Sequence, residues 1–420
     1  MTTGAPTRRH LALLGAPAVL VTLSLGSCGS HTSGTKTHPS ARAGTIVAAQ
    51  TRSAGSLGTA SGGPVAPRGE GWSTLLNSSS HFGAAAADGP LTAHLRWQRR
   101  LEGPIVAGPV TRGSVAYVTS TRGALHAIDI TSGHDLWTFD GGRGATPPDL
   151  STSPTLLANG LILWPAPDNR VIALSPSGRV RWIISGAGEP LTPAVDEAGH
   201  LLVIADTMGH LSGYRLRPDN AAPLRLWTHT LGTESFGNPT LGSDGTTYET
   251  AGDGLSAFAA DGQLRWRLKI SQTIETSAAV AEDGTIVFGG NDEIEYGIGP
   301  EGSVRWRHPI GNYTYSSPLA LPDDRVIYGN HSGEMTILDA RDGHEVSIDR
   351  GAGQLWTAAA VDRHGDVYFA SRAGTIYGFD AAGRRLFTIQ AGGTFDSYPA
   401  IAADGTLLVG GDDGVLRAIG

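Results

Sequence analysis

Short apolar runs alternate with turn signals along most of the chain, and from Leu95 onward the alternation repeats. One unit shows the pattern. Ala278–Ala281 is apolar, Glu282-Asp283-Gly284 turns, Thr285–Phe288 is apolar, and Gly289–Asp292 turns again. Ile294–Ile298 follows, Pro300-Glu301-Gly302 turns, and Val304-Arg305-Trp306 opens a fourth run. Runs this short, bounded by Asp-Gly and similar pairs, predict strands joined by hairpins rather than helices. Asp-Gly recurs at Asp244-Gly245, Asp261-Gly262 and Asp404-Gly405.

Two markers recur in phase. A glycine stands four residues before an aromatic in Gly133/Trp137, Gly178/Trp182, Gly262/Trp266, Gly302/Trp306 and Gly383/Phe387. Trp97 and Trp227 hold the aromatic place without the glycine, and Gly343 leads only to Ser347; successive places lie 39 to 45 residues apart. The second marker is a small or polar residue before Pro or Ala at the start of a unit. It reads Gly108-Pro109, Ser153-Pro154, Thr192-Pro193, Asn238-Pro239, Ser277-Ala278, Ser317-Pro318, Thr357-Ala358 and Tyr398-Pro399. Eight units of four strands predict an all-β, eight-bladed β-propeller over residues 91–420. The last unit stops after its third strand, Val415–Ile419, while Leu95-Arg96-Trp97 is an orphan fourth strand ahead of the first unit. The ring is therefore expected to close by the N-terminal strand pairing with the last blade, which leaves no open sheet edge.

The start of the chain reads as an address. Residues 1–27 have a polar segment with Arg8-Arg9, an apolar run Leu11–Leu25 and then Gly26-Ser27. That is the pattern of an export signal, and the run is shorter than the ~20 residues of a comfortable membrane span. Leu25-Gly26-Ser27-Cys28 resembles a bacterial lipobox, and Thr7-Arg8-Arg9-His10-Leu11 resembles the core of a twin-arginine signal. Cys28 is the expected lipidation site. Residues 28–90 are rich in Ser, Gly and Ala and are expected to be a flexible tether. Trp72 and Leu75-Leu76 depart from that composition and read as a short docking segment. The expected location is the extracytoplasmic side of a bacterial membrane, with the protein held by its lipid.

Charge and cysteine content narrow the function. The net charge is −8, with no block of one sign, so nucleic acid is not an expected partner. Cys28 is the single cysteine, which excludes an intrachain disulfide and a Cys-based metal site. No nucleophile elbow, His-Glu-x-x-His or phosphate-binding glycine loop is present.

Ala127-Ile-Asp129-Ile-Thr131-Ser-Gly133-His-Asp-Leu-Trp137 resembles the tryptophan motif of pyrroloquinoline-quinone-type propellers, with weaker copies ending at Trp182, Trp266, Trp306 and Phe387. The resemblance covers about residues 95–420. It implies that the glycine turns the chain and that Trp97, Trp137, Trp182, Trp227, Trp266 and Trp306 pack between blades. The superfamily includes quinoprotein alcohol dehydrogenases and the lipoprotein of the outer-membrane barrel assembly machinery, and the latter is nearer in architecture. The dehydrogenases carry a vicinal Cys pair that this chain lacks, so no catalytic or metal residue is carried over. The expected function is a non-enzymatic cell-envelope lipoprotein, a monomeric propeller that binds or scaffolds a protein, peptide or glycan. The alternatives are a redox enzyme using pyrroloquinoline quinone with calcium, and a sensory or carbohydrate-binding ectodomain. In the first reading no cofactor is expected.

The loops entering each first strand converge on one mouth of a propeller channel and differ between blades. They carry Glu234, Phe236, Glu275, Tyr313, Tyr315, Gln354, Trp356, Phe395 and Asp396. Aromatics with a few acids suit a partner surface.

Overall fold

The computed structural model describes residues 46–48, 72–82, 84–141, 152–196, 198, 200–350 and 352–420. Cys28, the export signal and most of the tether lie outside them. The described residues belong to one compact unit, residues 44–420.

Eight antiparallel sheets form the ring, each with four propeller strands in sequence order from the axis outward. The fifth blade illustrates the order: Ala279–Val280, Ile286–Gly289, Ile294–Ile298 and Val304–Pro309. Leu95–Arg100 pairs with Val415–Ile419 and supplies the outermost strand of the eighth blade, as the strand count required. Ile46–Ala48 adds a backbone strand outside Leu264–Lys269 of the fourth blade.

The second and third strands of a blade are covered on both faces by neighbouring blades, which is why they read as unbroken apolar runs. Ile162–Ala166 and Leu201–Ala205 are buried throughout. Outermost strands bury one side only, and each carries a register shift just before its aromatic place. The extra residue is turned out of the ladder. This explains why Leu136, Leu226 and Val346 are exposed, and why the same place in four other blades is an arginine, Arg96, Arg181, Arg265 and Arg305. Arg96, Arg265 and Arg305 use that position to pair with Asp404, Asp244 and Asp283.

The bulge aims each tryptophan at the next blade. Trp97, Trp137, Trp227, Trp266 and Trp306 donate their indole N–H to Ile130, Pro176, Ala260, Pro300 and Ala340 carbonyls at 2.6 to 3.0 Å. Each lies against the turn glycine of that following blade. Gly302 has φ +90, and a Cβ there would stand 2.7 Å from Trp266. Gly302→Ala should therefore cost about 2 kcal/mol or more, from backbone strain plus the collision. Denaturant unfolding would measure it, and an unchanged midpoint would refute the latch.

The second marker also has a structural cause. Ser153 N–H donates to Thr192 Oγ1, Thr192 N–H to Asn238 Oδ1, Asn238 N–H to Ser277 Oγ, and Ser277 N–H to Ser317 Oγ, at 2.8 to 3.0 Å. The small polar residue is a link in a belt running from blade to blade.

Residues 72–82, placed with the flexible tether by composition, are packed inside the ring. Trp72, Leu75, Leu76 and Phe82 are buried, and burying this much apolar surface offsets the entropy of ordering the segment. Trp72 O, Ser73 O, Ser79 Oγ, Ser79 O, Ser80 O and His81 O accept from the amides of Thr111, Leu156, Val195, Leu241, Val280 and Ala320. Each of these amides lies two residues beyond the Pro or Ala marker of its blade. Six consecutive innermost strands would otherwise turn an unpaired donor to the axis, which is costly when buried. Circling the axis demands left-handed backbone at Leu76, Asn77 and His81. The segment then passes over the turns at Asp362 and Gly405.

Candidate functional site

The loops entering the first strands and the turns between second and third strands meet at one mouth, because strand direction alternates within a blade. On the arc from the fifth to the eighth blade the structure gathers Tyr313, Tyr315 and Trp356. Two residues from second-to-third turns complete the group, His331 and Arg372. Tyr313 lies 4.0 Å from His331 between ring centres, and His331 lies 4.9 Å from Trp356. Tyr315 stands edge-on to both His331 and Trp356, at 85° and 89°. The Arg372 guanidinium sits 3.5 Å over the Trp356 ring. Rings crossed in this way, with a cation on one face, are a favourable arrangement.

The surrounding residues fix the group in place. Asp396 is nearly buried and lies 3.7 Å from Arg372 Nε. The exposed Gln354 accepts the Arg372 amide through its carbonyl. Glu275 accepts from Asn291 Nδ2 at 3.1 Å. Burial, and then the charge of Glu275, pushes the Tyr315 phenol up to about 12, so it stays a neutral donor at physiological pH. Tyr313 is 38% exposed and forms the outer surface of the group.

Other expected residues lie elsewhere. Glu234 and Phe236 are exposed on the loop entering the fourth blade, and among the described residues Phe236 has no ring contact with the group. Phe395 is fully buried, with Arg417 5.2 Å over its ring. It cannot present a face to a partner, so it belongs to the core. Of the six blade tryptophans, Trp97, Trp137, Trp227, Trp266 and Trp306 bond the following blade, and Trp182 is buried in a core cluster. His331 and Arg372 escaped the sequence reading because it followed only the loops entering first strands; the Asn330-His331 and Ser371-Arg372 turns reach the same mouth.

The axis beneath the mouth is filled. Tyr398 packs with Leu75, Leu76, Leu319 and Leu355 in one core. Among the described residues, no three His, Cys, Asp or Glu side chains come together as a metal-binding group. No helix there is long and apolar enough to cross a membrane.

Comparison with known proteins adds to this geometry. A family model described as outer membrane protein assembly factor BamB matches residues 39–206 and 219–418. The outer membrane protein assembly factor BamB of Burkholderia pseudomallei is 26% identical over 301 residues, which is 67% of this chain and 76% of that protein. BamB from Moraxella catarrhalis superposes with a TM-score of 0.61 at 13% identity, over 78% of this chain and 99% of that one. Quinohemoprotein alcohol dehydrogenase from Comamonas testosteroni superposes with a TM-score of 0.65 at 12% identity, over 82% and 77%. At such identities the two structural likenesses carry the fold alone.

Proposed function

The chain belongs to the family of outer membrane protein assembly factor BamB, and from that premise we propose that it is a non-catalytic, exported lipoprotein whose propeller holds a protein partner during membrane-protein assembly. Cys28 carries the lipid in this reading, and the aromatic mouth is the docking surface. One observation carries the choice of a protein partner. The rings of Tyr313, Tyr315, His331 and Trp356 are locked against one another and against Arg372. A rigid aromatic and arginine anchor, ordered before binding, is what an interface hot spot requires. A glycan stacking on Trp356 is less well served, since Arg372 already lies over that ring.

Pyrroloquinoline quinone with calcium fits these residues poorly. A planar tricarboxylate with its cation needs a chamber and a charged donor set, whereas Leu75, Leu76 and Tyr398 fill the axis. We assign no redox step to it.

Tyr313→Ala and Trp356→Ala should each weaken partner capture by about 2 kcal/mol, with melting curves close to that of the parent. A photo-crosslinking residue at position 313 should form an adduct with an envelope protein in cells. Unchanged capture by both variants, or tight stoichiometric quinone binding with dye-linked alcohol oxidation, would overturn the reading. Cys28→Ser should move the protein from the membrane fraction to the soluble one.

A further inference from the structure

The seam between the second and third blades departs from the repeat. Trp182 packs in that seam, yet its indole N–H has no acceptor among the described residues. The turn it should meet, residues 216–223, has eight residues and no glycine, where its counterparts have five. Nearer the mouth, the same seam opens into a cleft of about 240 Å³. Ser212 helps to leave that room. The equivalent place in the first, fifth, seventh and eighth blades holds His126, Tyr296, Tyr377 and Arg417.

The polar groups of the cleft are set in place before any ligand arrives. Asp206, 6% exposed, accepts from the amides of Gly188, Met208 and His210 at 3.0 to 3.1 Å. Both its oxygens also lie 3.0 Å from His210 Nδ1. The carboxylate is thus fully engaged, and it fixes the imidazole with Nδ1–H as donor, leaving Nε2 for the cleft. The Ser212 and Thr228 hydroxyls lie 2.8 Å apart; one donates to the other and the pair retains a spare donor. Arg225 stands on the rim with no ion pair among the described residues, whereas Arg96, Arg265 and Arg305 are tied to aspartates of their own blades. Val171, Ile184 and Tyr214 form the apolar wall.

We propose that this cleft is a binding site for a single sugar-acid ring. The volume equals that of about eight waters, enough for one pyranose and below the size of a drug-scale pocket. Hydroxyl pairs and a fixed imidazole suit ring hydroxyls, the apolar wall suits the C–H face, and Arg225 supplies the carboxylate partner. The site is separate from the aromatic mouth and does not depend on the partner reading.

Calorimetric titration of the full chain with D-glucuronate and D-glucose tests it. Glucuronate should bind at one site and glucose about tenfold more weakly or worse. Arg225→Gln should bring glucuronate down to the level of glucose. Ser212→Phe, which refills the seam, should abolish both. If that variant does not fold, Thr228→Val should weaken both sugars several-fold. Equal affinity for the two sugars, no binding of either at millimolar concentration, or binding that survives both cleft substitutions would overturn the proposal.

Discussion

Glu295→Leu should raise the stability of the propeller by about 3 kcal/mol at neutral pH, from the cost of a buried carboxyl group without hydrogen bonds. Glu295 is fully buried, and neither of its oxygens has a hydrogen-bond partner among the described residues. Counting from the aromatic-paired residue of each blade, the equivalent places hold Leu125, Val171, Leu211, Leu255, Met335, Ile376 and Leu416. The fold therefore already accommodates leucine there. Desolvation pushes the Glu295 carboxyl well above its ordinary range. Its folded pKa exceeds its unfolded one, so its contribution is fully present below the unfolded value of about 4.3. That contribution is lost as pH rises toward the folded value. The gain from leucine should accordingly grow with pH. Melting curves of parent and variant at pH 5 and pH 8 check this; a variant less stable than the parent, or a pH-independent difference, would refute it. Glu249 makes a useful contrast. It is equally buried and its carboxyl is likewise pushed up, but it accepts from Ser235 Oγ at 2.5 Å, so its replacement by leucine would also remove a hydrogen bond.

Acid should release the axial segment before the blades unfold. His81 is fully desolvated, and burial lowers its pKa to about 4 despite Nδ1 donating to the Ala278 carbonyl at 2.7 Å. Here the folded pKa lies below the unfolded value of about 6.5. The docked state keeps its full stability above the unfolded value and loses it as pH falls toward the folded one. The difference amounts to about 3 kcal/mol. The amides of Leu156, Leu241, Val280 and Ala320 should lose hydrogen-exchange protection at pH 4.5, while those of the buried second strands keep it. His81→Asn, neutral at every pH and tolerant of left-handed backbone, should keep the axial amides protected. Loss of protection at the same pH in that variant would show that another group is responsible.

Much of the architecture was legible in the chain because a propeller blade is built locally. Strand length, hairpin turns and the buried second and third strands all follow from apolar runs of four to six residues between turn residues, as in Thr285–Phe288. The circular closure followed from an orphan fourth strand ahead of the first unit and a missing fourth strand in the last. The docking of Trp72 and Leu75-Leu76 was visible as an apolar interruption in a polar stretch, but its extent was not. Asn77, Ser79, Ser80 and His81 look like tether, and only the unpaired amides lining the axis give their backbone a reason to order.

The candidate site was half legible for a similar reason. Tyr313, Tyr315 and Trp356 announce themselves as aromatics in loops, yet so does Phe395, which the structure buries under Arg417. Glu295 sits in a strand whose pattern offered no warning, since its burial depends on the neighbouring sixth blade.

What the sequence determined by itself was the repeat: an all-β unit, eight copies, and closure by the residues at 95–97. Hairpin contacts are short-range, so local pattern is enough to specify them. What the tertiary structure alone decided was every pairing between units. Gly133 shares its motif with Trp137 but carries Trp97 of the preceding blade, and His331 and Arg372 join a site with Tyr313 and Trp356 across blade boundaries. Residues about 40 positions apart are brought together by the rotation from one blade to the next, and no spacing within a single unit records that rotation.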